Sequence, residues 1–433
     1  MALIPESAVH NEIKENLLRI GWENGNEKFG IEEHKMVSDY SGLDGSLGDY
    51  VLWNILEKKI RKLNRAFFAS LTEEEEEKVW EEIKGKLESS DEVEMLEYIK
   101  YGVPLTSLGR HDKVILIDYD NLTNNVFFFL HEAKFPGFPE NIKPDFTLII
   151  NGIPIVIIEA KAKGIIELED LDWRRWSKVH GTEDEALTQI RKYERYSKSL
   201  FRFVQFGVAY GDKQLYTPTM PRESGSAPAF EWRYPNEKVP NIFDLLTPER
   251  LLDVLRYYTF FFKKNEKGAK RIKVIARWNQ YRATKRIIER IERYLSQESE
   301  KRNGLVWQWQ GSGKTFIMFF VANWFLNKYK GRNPVVFFVV DRTDLKDQHS
   351  GVFEAIEDRE FREHFDVIKN IAELRERIEE MMKSEETGRV IPTGLHITTI
   401  QKFQYGKFKD LVRVKKVQKE ETFEAEKIGR AHV

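Results

Sequence analysis

The sequence predicts an α/β protein: a mixed sheet flanked by helices, followed by a lobe built on a parallel sheet. Three observations carry this. Residues 142–163, IKPDFTLIINGIPIVIIEAKAK, read as two strands, 146–150 and 153–158, joined by an Asn-Gly turn at Asn151 and Gly152. The second strand is apolar without alternation, which places it inside the sheet with both faces covered. Around this hairpin the order helix, several strands, helix, strand suits one mixed sheet. Beyond residue 280, strands alternate with helices, as in a parallel sheet that binds ligands at the strands' carboxyl ends.

At 433 residues the chain suggests two or three domains of about 150 residues each. Hydrophobic residues are 41% and aromatics 13%, enough for sizeable cores and too many for a disordered protein. With a net charge of -1, any polyanionic partner must be met by local basic patches. The absence of cysteine excludes disulfides, thiol nucleophiles and cysteine-based zinc sites. Together with an amino terminus lacking a basic, apolar leader, it points to a cytoplasmic protein. The most apolar stretch, 316–325, is interrupted by Asn323 and too short to cross a bilayer, so no membrane association is expected.

In chain order, 6–20 reads as a helix with Val9, Ile13 and Leu17 on its apolar face and Glu6, Glu12 and Glu15 solvated. Helices follow at 49–68 and 72–87, the second capped by Thr72 with glutamates 73–77 at its positive end. Strands at 113–118 and 126–130 lead through a loop holding Pro136, Gly137 and Pro139 to the hairpin. The acidic, tryptophan-bearing segment 167–176 has no legible role. A helix at 183–200 puts Gln189 and Tyr193 four apart on one face beside the sheet rim, and 203–210 is an apolar strand. Pro, Ser and Gly at 217–241 mark a boundary or a long surface loop. A helix at 248–262 leads to a basic run, Lys263, Lys264, Lys267, Lys270, Arg271, Lys273 and Arg277, which reads as a solvated linker or a DNA-backbone contact. A helix at 280–295 and strands at 304–307, 334–340 and 395–400 complete the outline.

Two places carry chemistry. Asp145 opens the first hairpin strand, while Glu159 and Lys161 share a face at the far end of the second. Two carboxylates and a lysine at the rim of a buried sheet are costly to desolvate without compensation. Mg²⁺ would supply it, and the lysine is placed to orient an attacking water as an ammonium or to deprotonate it as a free amine. A two-residue turn pairing 150 with 153 sets 145 opposite 158 and points Asp145 away from Glu159. A shared metal therefore demands an odd loop or a bulge. The expectation is a three-residue loop, 150–152, with Gly152 at positive φ.

The second place is Gln-Gly-Ser-Gly-Lys-Thr at 310–315, between a strand and a helix, the context of a phosphate-binding loop. Gly311, Ser312 and Gly313 bring backbone amides to the β-phosphate, and the helix amino terminus favours the anion. Lys314 is expected to reach the β- and γ-phosphates and Thr315 to hold Mg²⁺. Gln308 stands where the usual pattern has its first glycine.

Pro144-Asp145 followed by Glu159-Ala160-Lys161 is the pattern of the PD-(D/E)xK nucleases. Taken alone, the triplet reads more readily as an exposed ion pair at a strand end; the rest of the chain shifts the reading. From about residue 3 to 407 the chain resembles the amino-terminal part of the R subunit of type I restriction-modification enzymes. In that family a PD-(D/E)xK nuclease precedes two RecA-like lobes of a superfamily-two helicase motor. The resemblance implies Asp145, Glu159 and Lys161 as catalytic residues, the two carboxylates as metal ligands, and Gln189 and Tyr193 as a Gln-x-x-x-Tyr motif serving the nuclease. It implies ATP bound by Gln280, as adenine reader, and by the loop 311–315. Residues 339–342 with Leu345 and Gln348, and residues 398–403, resemble motor motifs that grip DNA, which assigns Arg342, Thr399 and Gln401 to DNA binding.

The same resemblance implies ATP and Mg²⁺ as cofactors, double-stranded DNA as substrate, and methyltransferase and specificity subunits as partners. The implied activity is ATP-dependent DNA translocation coupled to double-strand cleavage. Two rivals remain: another helicase-nuclease such as a type III enzyme, in which the nuclease follows the motor, and a degenerate remnant that only docks. The expected domains are a nuclease at 1–217, a loop, helix and basic linker at 218–278, and a first motor lobe at 279–426. The family continues to a DEAD/DEAH-type motif and a second lobe with an arginine finger, and no such motif follows Phe403. Back-translated, 427–433 contains a common sequencing-adapter string, so this tail is expected to be artefactual and the gene to continue.

Overall fold

The computed structural model describes residues 4–109, 112–163, 183–220, 228–236, 238–263, 268–332, 334–340, 343–363, 365–368, 372–376, 378–379 and 394–400. The chain divides into two units, Met1–Phe261 with Lys270–Trp278, and Phe262–Ala269 with Asn279–Val433. The segment 167–176 lies outside the described residues.

The first unit is built on a seven-stranded sheet whose neighbours follow chain order: β1 (Glu23–Asn24), β2 (Phe127–His131), β3 (Phe146–Ile150), β4 (Ile153–Ala160), β5 (Phe206–Tyr210), β6 (Gln214–Pro218) and β7 (Phe230–Glu231). The β1–β2 and β4–β5 pairs are parallel and the others antiparallel, so the sheet is mixed, as its sequence predicts. All eight residues of β4 are buried, which is what its unalternating apolar run requires.

Helices α1 (Glu6–Arg19), α2 (Trp53–Leu63), α3 (Glu73–Ser89), α4 (Glu92–Tyr101) and α5 (Glu183–Tyr196) accompany this sheet. Val9, Ile13 and Leu17 of α1 are fully buried. Thr72 caps α3 in a reciprocal pair with Glu75. The helix expected at 49–68 breaks at Asn64, whose Nδ2 donates to the carbonyls of Ile60 and Ile115. Helix α5 lies in the β4–β5 crossover and packs closely on β5: a Cβ at Gly207 would stand 2.8 Å from Ile190 Cγ2.

The hairpin differs from expectation in an informative way. Asn151 (φ 54°) and Gly152 (φ 96°) form a two-residue turn with Ile150 paired to Ile153, so there is no three-residue loop. The register then shifts: Ile149 pairs with Pro154 but Leu148 with Val156, leaving Ile155 as an extra residue in β4. Asn151 is itself buried. Its Nδ2 donates to Leu116 O (2.9 Å) and Asn125 Oδ1 (2.8 Å), and its Oδ1 accepts from Val126 N (2.8 Å). Leu52 N donates to Gly152 O, and a Cβ on Gly152 would meet Leu52 O at 2.6 Å.

Other elements also depart from their sequence reading. Only Asp112–Val114 of the expected strand 113–118 is a strand, and it pairs with Val103–Leu105 outside the main sheet. The Pro/Ser/Gly-rich stretch 217–241 holds the end of β6 and all of β7, and Trp232 is fully buried with its indole N–H donating to Asp244. Composition hid them because only the last two residues of β6 reach into this stretch and β7, the edge strand, is two residues long. The helix expected at 248–262 is α6 (Pro248–Tyr257), and Thr259–Phe262 is a strand of β-branched and aromatic residues. Nor is the basic run a free linker throughout: Ile272–Ile275 is a strand, Lys273 is buried, and Arg271 lies 3.8 Å from Glu92.

In the second unit, β8 (Val335–Val340), β9 (Phe365–Val367) and β10 (Gly394–Thr399) form a parallel sheet in the order β8-β10-β9. Helices α7 (Trp278–Leu295) and α8 (Lys314–Lys328) precede β8 in the chain, and α9 (Thr343–Glu354) lies between β8 and β9. The strand expected at 304–307 is absent. Leu305 and Trp307 are exposed, and among the described residues no strand pairs with this segment, so its backbone lacks the partner a strand needs. No helix among the described residues is long and apolar enough to cross a membrane.

Candidate functional site

The extra residue at Ile155 decides the geometry of the first site. Below it Phe146 pairs with Ile158, so Asp145 comes opposite Glu159, and opposed residues of an antiparallel pair point to the same side. Both carboxylates are buried, at 7% and 4% exposure. Asp145 Oδ2 accepts from Ala160 N at 2.7 Å, which fixes one carboxylate against the strand that carries the other. Lys161 follows directly after β4. Its Nζ donates to Glu159 Oε1 (2.8 Å) and Ala160 O (2.9 Å), and lies 3.9 Å from Glu6 Oε1.

Burial, and then the charge of Asp145, push the Glu159 carboxyl up to about 7, with Lys161 opposing. Burial works against the Lys161 ammonium, but Glu159, Asp145 and Glu6 outweigh it and hold its pKa above the ordinary lysine value. Tyr193 is buried on α5 and its hydroxyl donates to Lys143 O at 2.8 Å. Burial and the Glu159 charge push its pKa up, and Gln189 acts on the same hydroxyl. The structure thus gathers Asp145, Glu159, Lys161, Gln189 and Tyr193 in one place.

Two further residues join them from α1. His10 Nε2 lies 3.6 Å from Asp145 Oδ2 and 3.9 Å from Glu6 Oε1, and one ligand atom from each of Glu6, His10 and Asp145 falls within 4.8 Å of the others. Glu6, expected on a solvated face, therefore borders the site. Glu12 too is engaged, by Lys163 and the Tyr210 hydroxyl. His10 was missed because a lone histidine on an amphipathic helix carries no spacing signal; its i, i+4 relation to Glu6 was the available hint. Two buried atoms here have no hydrogen-bond partner, Glu159 Oε2 and His10 Nε2. Unsatisfied polar atoms among buried carboxylates are what a hard divalent cation would compensate, and the donor set of carboxylate oxygens and one imidazole nitrogen fits Mg²⁺ or Mn²⁺.

In the second unit, Gly311 and Gly313 have φ of 79° and 81°, and Gly313 caps the amino end of α8. Gln280 Nε2 donates to Ser312 O at 3.0 Å, so close to the loop that a Cβ on Gly313 would meet that nitrogen at 2.3 Å. Lys314 Nζ donates to the carbonyls of Gln308 and Trp309, both at 3.3 Å, and Thr315 Oγ1 is 3.4 Å from His349 Nδ1. Gln280, Gly311, Ser312, Gly313, Lys314 and Thr315 are thereby brought together. Thr399 ends β10 and is buried beside Val340 of β8, whereas Arg342 and Gln401 lie outside the described residues.

Comparison with known proteins covers both units. The family described as type I restriction enzyme R protein N terminus (HSDR_N) matches residues 4–226, and the family described as SWI2/SNF2 ATPase matches 279–426. Two proteins of Methanocaldococcus jannaschii, named as the MjaVIIP and MjaVIIIP endonuclease subunits of type I restriction enzymes, are similar to this chain. The first is 46% identical over 326 residues, 72% of this chain and 29% of the relative. The second is 36% identical over 417 residues, 94% of this chain and 38% of the relative. The type I restriction enzyme HindI endonuclease subunit of Haemophilus influenzae is 25% identical over 93% of this chain and 36% of its own length. The chain therefore spans well under half the length of these relatives.

Proposed function

The chain belongs to the family of type I restriction enzyme R protein N termini, and on that premise we propose that it carries a metal-dependent DNA-cleavage centre and the first nucleotide-binding lobe of an ATP-driven restriction nuclease. In this reading the first unit is a PD-(D/E)xK nuclease domain and the second a RecA-like lobe of a superfamily-two motor. The protein works in the cytoplasm with methyltransferase and specificity subunits, translocating double-stranded DNA and cutting both strands. The observation that carries the reading is the bulge at Ile155, which turns Asp145 and Glu159 to one side beside Lys161, where Glu159 Oε2 and His10 Nε2 have no hydrogen-bond partner.

Asp145, Glu159 and His10 would hold the cation, with Glu6 at the rim. Bound there, Mg²⁺ or Mn²⁺ compensates the two carboxylates and supplies Lewis-acid activation of phosphate and water. Lys161, anchored to Glu159 Oε1 and Ala160 O and with its pKa held up, keeps its proton at neutral pH. Held there, it is placed to orient water or a phosphate oxygen as a donor. Tyr193, tied to Lys143 O, and Gln189 support Glu159 from α5. In the second unit Lys314 would exchange the loop carbonyls it now meets for phosphate oxygens of ATP, with Gln280 bracing the loop.

The test is plasmid cleavage by the full-length protein assembled with its modification and specificity subunits. Glu159→Ala is expected to abolish Mg²⁺-dependent cutting while ATP hydrolysis persists, because the two sites lie in separate units. Retained cutting, or loss of both activities in a folded variant, contradicts the reading.

A further inference from the structure

Behind His10 lies a second histidine that the reading above does not use. His131, at the end of β2, places Nε2 3.1 Å from His10 Nδ1, and its own Nδ1 stands 2.6 Å from Glu33 Oε1. The two rings meet edge-on, 5.2 Å apart at 88°, and each packs against Phe146. Beyond His10 come Asp145 and Glu6. The residues thus run in one line: Glu33, His131, His10, then the space bordered by Asp145.

The chemistry of this line has a direction. A carboxylate only accepts, and hydrogen bonding from His131 holds the Glu33 carboxyl below its ordinary range and so ionised. His131 Nδ1 must then bear the hydrogen that Glu33 accepts, which leaves Nε2 of the neutral ring as an acceptor. His10 Nδ1 must donate to it. In the neutral ring His10 Nε2 is then the nitrogen with the lone pair, and it faces Asp145 Oδ2 and Glu6 Oε1. A lone pair aimed at anions is unfavourable unless a cation, a proton or a metal ion, stands between them. Metal-bound histidines are generally held in this way, with the far nitrogen donating to an acceptor that fixes tautomer and ring orientation.

We infer that His131 and Glu33 are positioning residues of the metal centre: they fix His10 in the Nδ1–H tautomer and aim its Nε2 lone pair at the cation. The inference rests on the metal-centre reading above. Neither residue touches the cation. Glu132 and Lys143, which face the same region, pair with each other and with His34 and leave the His131–His10 bond unshared.

The experiment is calorimetric titration of Mn²⁺ into the metal-free full chain, with unfolding curves as a check on the fold. His131→Leu is expected to weaken Mn²⁺ binding by roughly 10- to 100-fold, the usual cost of losing an orienting partner. His131→Gln is expected to stay within about threefold of wild type, since its amide can accept from His10 and donate to Glu33, a rescue that a packing role would not give. Glu33→Leu, at a half-exposed position, should weaken binding in the same direction without loss of the fold. In ¹⁵N spectra of the Mg²⁺-loaded, histidine-labelled chain, His10 should carry its hydrogen on Nδ1 alone. Wild-type affinity in both leucine variants, or hydrogen on His10 Nε2, overturns the inference. Unchanged affinity in Asp145→Asn would instead sink the metal-centre reading itself.

Discussion

Replacing Glu159 by Gln tests whether this site is maintained at the expense of the fold. Glu159 is buried beside Asp145, and those two causes push its carboxyl from 4.5 up to about 7. In the unfolded chain it titrates at its ordinary value, so between these limits the folded state binds the extra proton. The contribution of this group to stability is full below pH 4.5 and is lost as pH rises through 7. Above that, keeping the charge buried costs on the order of 3 kcal/mol, at about 1.36 kcal/mol for each pH unit separating the two values. Gln has the same shape without the charge. Losing the Lys161 pair returns about 1 kcal/mol of that, because Lys161 keeps Ala160 O and Glu6.

The variant should therefore be more stable than wild type by roughly 2 kcal/mol at pH 8 in EDTA, with the gap closing towards pH 5. Urea unfolding followed by tryptophan fluorescence across that range measures it. Mn²⁺ should then reverse the order, since binding to wild type alone adds about 2.7 kcal/mol at one hundred times Kd. A gap that does not widen with pH, or a wild type that gains nothing from Mn²⁺ relative to the variant, refutes the reasoning.

Lys273 should show the opposite slope. Burial pulls its ammonium down to about 7 from 10.5, so its contribution to stability is present above pH 10.5 and lost as pH falls through 7. Lys273→Met should stabilise the chain by on the order of 3 kcal/mol near pH 7, after losing two hydrogen bonds, and by little near pH 10; a flat pH dependence in unfolding curves contradicts this. Gly152→Ala meets both a left-handed φ and Leu52 O, and should cost about 1–3 kcal/mol in the same assay, whereas a loss under about 0.5 kcal/mol would mean that the turn relaxes freely. Lys314→Ala should remove ATP·Mg²⁺ binding measured by calorimetry. The 433-residue chain itself should show no DNA-stimulated turnover, having no DEAD/DEAH-type motif after Phe403, and a measurable DNA-dependent rate would reveal a motor complete without one.

What was legible in the sequence was what local pattern dictates. The unbroken apolar run of β4, the positive φ of Gly152, the Thr72 cap and the shared face of Gln189 and Tyr193 each follow from periodicity or turn chemistry within about ten residues. Long-range placement was not. His10 reaches Asp145 from the far end of the unit's sequence, and nothing near His10 marks it. Glu6 looks like any glutamate in a helix's first turn, where the macrodipole already accounts for it. The strand expected at 304–307 fails for a related reason: apolar residues specify a strand only where another backbone is there to pair with them.

The register of the hairpin shows how chemistry can constrain a backbone that propensity leaves open. Asn-Gly specifies a two-residue turn, and strict alternation from that turn separates Asp145 from Glu159 onto opposite faces. The proposed metal centre needs both on one side, which requires one added residue somewhere along the pair. Adding it in the turn would have lengthened a loop whose Asn151 is sealed by Leu116, Asn125 and Val126 and whose Gly152 is pressed on Leu52. Adding it at Ile155 leaves the turn intact and changes side only for the residues beyond it. The bulge thus sits where it must, between a turn fixed by packing and a strand end fixed by the site.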